Sequence, residues 1–386
     1  MFESKPRRST LTPFAACALV GLLGLAAPSP TLAAEARRQV DRTLVAQPNL
    51  VVELHNLAGN VTLASATGNE VRISGTIHAA AGTAAEAERI AGLLNVTYEQ
   101  VGENWIVKAV YPLAESRKYC YPRRTEAAEL PWFLEWLDLG SSNFKYDGLE
   151  VRIVSQPASG VLTLYADFRV ELPPGVGDKI KDGIGLVSST GVRGAQTLDI
   201  ATGEITARDG EGDLSADSGS GDVEISHHKG DVQVDTGSGD VRLERIAAAK
   251  INVDTGSGDI LLQDVSGSLF ADTGSGDIIG RALRLGSTLS ADTGSGDVSV
   301  SGDFSAVAKL AIDTGSGDVT LETSPSSAVP QVRIAVGTGS GEISLDLPTS
   351  RITRSGRGDL VAEIGSATGV ASIATGSGDV TLRAAH

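Results

Sequence analysis

Asp235-Thr236-Gly237-Ser238-Gly239-Asp240, preceded by Val232-Gln233-Val234 and followed by Val241-Arg242-Leu243, holds the fold in outline. Apolar residues at alternate positions mark two short strands, each with one inward and one outward face. The glycines between them mark a turn. The same hexapeptide begins again at Asp254, Asp272, Asp292 and Asp313, and at Asp217 with serine in place of threonine. Degenerate copies occupy residues 337–342 and 374–379, and residues 354–359 read as a further unit. The closing acids Asp222, Asp240, Asp259, Asp277, Asp297, Asp318, Glu342, Asp359 and Asp379 follow one another at 18, 19, 18, 20, 21, 24, 17 and 20 residues. A period of this size marks stacked repeats.

Two geometries satisfy one unit. Glycine turns suit antiparallel hairpins. They also suit coils of a parallel β-solenoid, each stacked about 4.8 Å above the last. The identical turn favours the coil, because in a stack a turn that fits its neighbour once fits it every time. The second turn varies in length, which explains why the period drifts while the hexapeptide does not. The expectation is an all-β chain, a parallel β-helix or solenoid with coils of 18–21 residues over 178–386.

Composition agrees with a narrow aliphatic core. The chain has 386 residues, 46 of them glycine, with 41% hydrophobic and only 4% aromatic residues. That hydrophobic fraction is too high for a disordered acidic tail. The net charge of −16 argues against a nucleic-acid partner, which requires a basic face.

Residues 1–34 read as a secretory signal peptide: Lys5, Arg7 and Arg8, then the apolar run Leu11 to Ala27, then Pro28, Pro30 and small residues. No later segment is long and apolar enough to span a bilayer as a helix. Cys17 follows Ala15 and Ala16, but the apolar run continues past it, unlike a lipidated cysteine. Cys120 is then the one cysteine of the mature chain. Residues 35–177 form a small strand-rich region with one short helix, capped by Thr83 with Glu86 three residues later. Within it, residues 111–148 stand apart as an insertion holding eight of the chain's 16 aromatics.

With these features the chain resembles the bacterial putative-adhesin family with β-strand repeats, a domain of unknown function. The signal peptide, the strand-turn-strand Asn56-Leu57-Ala58-Gly59-Asn60-Val61 and the Gly-Ser-Gly-Asp-Val units carry the resemblance. It implies an exported, right-handed β-helix with an adhesive role; apart from the Ca²⁺ weighed below, no cofactor is expected.

The chemistry on offer is sparse. Asp-Thr-Gly-Ser is also the active-site string of aspartic proteases, but that reaction requires one pair of carboxylates in a cleft. A catalytic pair would not be copied at every turn. Stacked coils create two outer columns: Asp217, Asp235, Asp254, Asp272, Asp292 and Asp313, and beside it Asp222, Asp240, Asp259, Asp277, Asp297 and Asp318. Carboxylates ~5 Å apart repel by roughly 1 kcal/mol even in water. Backbone N–H groups could offset that, and so could Ca²⁺, which favours oxygen ligands. Arg357-Gly358-Asp359 and His227-His228 read as drifted repeat and exposed turn. Asn60 and Asn95 each open an Asn-x-Thr sequon.

In the insertion, Trp132, Phe133, Trp136, Tyr119, Tyr121, Arg123 and Arg124 could cap the solenoid or dock a partner. The expected protein is a non-enzymatic adhesin or envelope scaffold, periplasmic or surface-exposed, binding a protein or polysaccharide of the envelope. Two other readings stand beside it: a periplasmic sensor or scaffold serving a membrane protein, and a polysaccharide-acting enzyme on a β-helix.

Overall fold

The computed structural model describes residues 33–122 and 141–384, apart from 48, 325–330, 348, 350 and 355–357. Residues 1–32 of the expected leader, and Arg123, Arg124, Trp132, Phe133 and Trp136 of the insertion, lie outside the described residues. Among the described residues there are one helix and 27 strands, hydrogen-bonded as a single sheet.

The repeats stack as parallel coils. Val232–Thr236 lies between Leu214–Ser218 and residues 251–255, with Asp235 opposite both Asp217 and Asp254. The register continues through Asp272, Asp292 and Asp313. Beyond the hexapeptide turn a second ribbon stacks Val223, Val241, Ile260, Ile278, Val298 and Val319. The chain then bends at Asp209, His227, Arg245, Asp264 and Ala282, whose φ values lie between +54° and +57°. Side chains other than glycine enter that region at a cost of about 1 kcal/mol. The coil-to-coil pairing holds the same residue of each coil in it. A hairpin array would have paired these strands antiparallel, so the solenoid is the fold.

Alternation sets the core. Val234, Val253, Ala271, Ala291 and Ile312 point inward from one ribbon and Leu243, Leu262, Val300 and Leu321 from the other, all buried. Each large aliphatic side chain so buried stabilises by roughly 1.5–3 kcal/mol.

The stack starts well before residue 178. Val51–His55 and Val61–Ser65 pair in parallel with residues 177–181 and 187–190, so this early strand-turn-strand is itself a coil. Its turn comes so close to the neighbouring strand that a Cβ on Gly59, at φ +130°, would sit 2.0 Å from the Ala166 carbonyl oxygen. From this coil the second ribbon runs on through Leu162–Leu172, Glu70–Ala81 and Ala34–Val45. The first runs on through Asn104–Val110 and Asn95–Val101.

The helix Ala84–Leu93 lies on the outer sheet with Ala87, Ile90 and Ala91 buried. Thr83 caps it by accepting from the Glu86 N–H at 3.3 Å, as its sequence predicts. The Glu86 carboxylate turns to Arg89 instead of completing the box. Arg38 donates to the Ala91 and Leu94 carbonyls at the other end, satisfying helix-terminal acceptors.

The far end departs from sequence order. Lys309–Thr314 pairs with residues 370–375, not with the next repeat in the chain. Val319–Thr323 likewise pairs with Val380–Ala384. The unit at 337–342 stacks beyond these, on the other edge of the last repeat. The C-terminal repeat is therefore inserted between two coils that precede it. The strands that flank the unit read at 354–359 pair unlike the coils: Asp359–Glu363 runs antiparallel to Val332–Thr338 and to Arg351–Arg354. This antiparallel end covers the last parallel edge of one ribbon, which otherwise offers unpaired N–H and C=O groups.

Candidate functional site

Each position of the hexapeptide has a separate task. The Thr255 hydroxyl is buried and donates to the Gly239 carbonyl of the coil below at 3.1 Å. Thr236, Thr273, Thr293, Thr314 and Thr375 repeat this bond onto Gly221, Gly258, Gly276, Gly296 and Gly317. Ser218 does the same onto Gly203, so serine substitutes without loss. The glycines are required by close approach: a Cβ on Gly258 would lie 2.1 Å from the Gly239 carbonyl oxygen.

The closing aspartates are hydrogen-bond acceptors. Oδ1 of Asp222, Asp240, Asp259, Asp277 and Asp297 accepts the N–H of the next closing aspartate at 2.8–2.9 Å. The ladder continues from Asp318 to Asp379, and from Asp379 to Glu342, following the inserted order of the coils. Glu342 ends it.

The opening aspartates have no such role. Asp217, Asp235, Asp254, Asp272, Asp292 and Asp313 form a straight, exposed file, one carboxylate per coil. Partial burial raises Asp272, and Asp292 and Asp254 on either side raise it further. Asp217 is raised in the same way, by burial and then by Asp199 and Asp235. Asp199, which the repeat pattern did not single out, continues this file below Asp217, and Lys181, His55 and Lys108 continue it further.

Among the described residues no three His, Cys, Asp or Glu side chains converge to hold a metal ion. Of the twelve aspartates, one file is engaged by backbone N–H groups, and the other sets one carboxylate on each coil. The two files also respond oppositely to neutralisation. Asp259→Ala strands the Asp277 N–H and lowers stability by about 1–2 kcal/mol. Asp272→Asn relieves repulsion and raises stability by a few tenths of a kcal/mol, an effect that shrinks in high salt. Urea unfolding of the two variants at low and high salt checks both signs.

The tyrosines of the insertion that are described belong to the interior. Tyr119, expected at a partner surface, is fully buried, packs edge-on against Tyr111 at 5.3 Å and donates to the Ser116 carbonyl. Tyr121 is 8% exposed and donates to Asn60 Oδ1 at 2.9 Å. Tyr111 donates to Asn56 Oδ1 and the Ala58 carbonyl, tying the cluster to the first coil. His228 is also interior: Nε2 donates to the Gly212 carbonyl at 2.7 Å, and burial lowers its pKa. Only His227 of that pair is exposed.

Two carboxyl groups are buried where the N-terminal region meets the array. Asp178 Oδ2 accepts from Gln196 Nε2 at 2.8 Å, while Oδ1 has no hydrogen-bond partner. Burial pushes Asp178 up to about 7, opposed by the Gln196 bond. Burial also raises Asp182 far above the carboxylate range. A carboxyl whose folded pKa exceeds its unfolded value binds more protons when folded, so stability falls as pH rises. For Asp178 the loss begins above pH 4 and is complete above about 7, a few kcal/mol in all. Thermal melts at pH 5.5 and pH 8 will show the wild type less stable at the higher pH. Asp178→Asn, which imitates the protonated form, will narrow that difference.

In-register parallel coils, laddered by threonine and aspartate, define a β-solenoid repeat protein. Residues 197–332, the heart of the repeat region, match the family model described as Toastrack DUF4097. The resemblance drawn from the repeats is thereby borne out. No curated protein matches the chain. Solved structures similar to it include one described as a putative adhesin from Parabacteroides distasonis, 10% identical, covering 89% of this chain and 97% of its own, with a TM-score of 0.35. Another from the same organism is described as a putative lipid binding protein, 10% identical, covering 90% of this chain and 96% of its own, TM-score 0.35. A third, described as a putative cell adhesion protein from Clostridium sporogenes, is 9% identical and covers 90% of this chain and all of its own, with a TM-score of 0.19.

Proposed function

We propose that this protein is an exported, non-enzymatic, adhesin-like solenoid that binds a component of the cell envelope or surface. One observation carries the reading: identical outward side chains stand in register on successive coils, so the surface offers the same contact many times over. Repeated weak contacts along a rigid scaffold add up to strong retention on a repeating partner. The leader read from residues 1–34 supports export to the periplasm or beyond. In the Asp-Thr-Gly-Ser strings the threonines are committed to coil-to-coil hydrogen bonds and the aspartates stand one per coil in an exposed file, which supports a scaffold over a catalyst.

The test is fractionation of cells producing the full chain with a C-terminal tag, followed by co-sedimentation of the purified exported protein with envelope fragments. Recovery outside the cytoplasm and in the envelope pellet is expected. A wholly cytoplasmic protein, or one that stays in the supernatant, overturns the proposal.

A further inference from the structure

The outer sheet ends on a strand with an open edge. Ala34–Val45 is 12 residues long and pairs on one side, with Glu70–Ala81. Among the described residues no strand pairs with its other side. The terminal strands Asn95–Val101, Ser141–Tyr146, Ile343–Asp346 and Arg351–Arg354 are shorter, with 7, 6, 4 and 4 residues. A long open edge is a template for another strand, and proteins blunt such edges with proline or a bulge. Ala34–Val45 contains no proline, and its register against Glu70–Ala81 runs without a shift.

The hydrogen bonds fix which backbone groups face the open side. The Ala46 N–H donates to the Asn69 carbonyl at 2.8 Å, in the register of this strand pair. Antiparallel neighbours exchange bonds at every second residue. Even-numbered residues therefore bond to Glu70–Ala81. Glu35, Arg37, Gln39, Asp41, Thr43 and Val45 turn N–H and C=O to the open edge, and all six are exposed. The third strand of the sheet keeps the same alternation: the Ala166 and Phe168 N–H groups point away from Glu70–Ala81, to the Ala58 and Asn60 carbonyls.

We infer that Ala34–Val45 pairs with the same strand of a second copy of this chain, antiparallel about a twofold axis at Gln39. A twofold contact is self-complementary, so each pairing is made twice. With the axis at Gln39, Arg37 of one copy lies opposite Asp41 of the other, and Glu35 opposite Thr43. Opposite charges directly across a strand pair stabilise it, and like charges destabilise it. On the other face Arg38 meets Val40 and Arg42 meets Ala36, so no like charges lie directly opposite. The axis moved one residue back sets Glu35 against Asp41. Moved one residue forward, it sets Arg37 against Thr43. In the single chain Arg37 contacts Glu35 at 3.5 Å, both well exposed, and such a pair contributes little. Arg37 is therefore free to exchange it. Residues 35, 37, 39, 41 and 43 of each copy form five pairs, and two bonds per pair give about ten hydrogen bonds between the copies. A contact of one strand per copy is small, which sets the dimer dissociation constant on the order of micromolar.

The experiment is sedimentation equilibrium of the purified protein from about 1 to about 100 µM. A reversible dimer is expected. Gln39→Pro removes the N–H at the axis but leaves the bonds to Glu70–Ala81, since proline is tolerated where the N–H faces outward on an edge. It abolishes the dimer with the circular dichroism spectrum unchanged. Asp41→Arg sets like charges opposite each other twice and weakens the dimer by about tenfold, and Arg37→Asp does the same. Arg37→Asp combined with Asp41→Arg restores the attraction and the dimer. A protein that stays monomeric across the range overturns the inference. So does a dimer that ignores Gln39→Pro, or a charge swap that leaves the dimer as weak as either single variant.

Discussion

A chain ending at residue 368 will lose the far end of its solenoid. The deleted repeat supplies Ile373, Val380 and Leu382, all buried, and its strands stand between Lys309–Thr314 and Val332–Thr338. Three such side chains at ~1.5–3 kcal/mol each represent on the order of 5–9 kcal/mol of apolar burial. The aspartate ladder breaks at the same place, because Asp379 both donates to Asp318 and accepts from Glu342. Residues 331–368 then have no coil to rest on. Limited proteolysis will cleave the truncated chain within that stretch, and its first thermal transition will fall well below that of the full chain. A truncated chain that resists protease and melts like the full one would show that the inserted repeat is dispensable.

Gly258→Ala will be among the most damaging single substitutions in the turns. The new methyl carbon would stand 2.1 Å from the Gly239 carbonyl oxygen and 2.6 Å from its carbonyl carbon. Both are backbone atoms, so no side-chain rotation relieves the clash. The coils must separate at this corner, which also stretches the Thr255 and Asp259 bonds to the coil below. A cost of about 3 kcal/mol or more follows, at the upper end of overpacking effects. Ser257→Ala, one residue away, is the matched control. Its side chain is exposed, so the change stays within about 0.5 kcal/mol. Chemical denaturation of the two variants separates close stacking from mere turn preference. Equal, small losses would mean that the glycines serve backbone flexibility alone.

These two variants probe information of different kinds. The glycine result is written into the repeated hexapeptide. Alternation from Val232 to Leu243 assigns inward and outward faces, and a turn repeated without change implies that like stacks on like. The parallel register, the aliphatic core and the helix cap at Thr83 are local consequences of steric and hydrogen-bonding rules acting within about twenty residues. They were legible for that reason. The two aspartate files were also legible as files, but not their difference. Asp254 and Asp259 are the same residue type five positions apart, and only the approach of the next coil gives one of them an N–H to accept.

The order of the last coils had no local signature at all. Hexapeptide units carry nearly the same edges, so any one can stack on any other, and pairing alone does not distinguish the repeat at 337 from the repeat at 374. Chain connectivity and the antiparallel cover around Asp359–Glu363 select among them. The burial of Tyr119 and Asp178 is of the same kind. Each lies where strands distant in sequence meet, beside Tyr111 in one case and Gln196 in the other. Composition marks such residues as unusual, but exposure is a property of what packs over them. Short-range periodicity therefore built the coil, and long-range packing chose which coils touch and which polar groups lie inside.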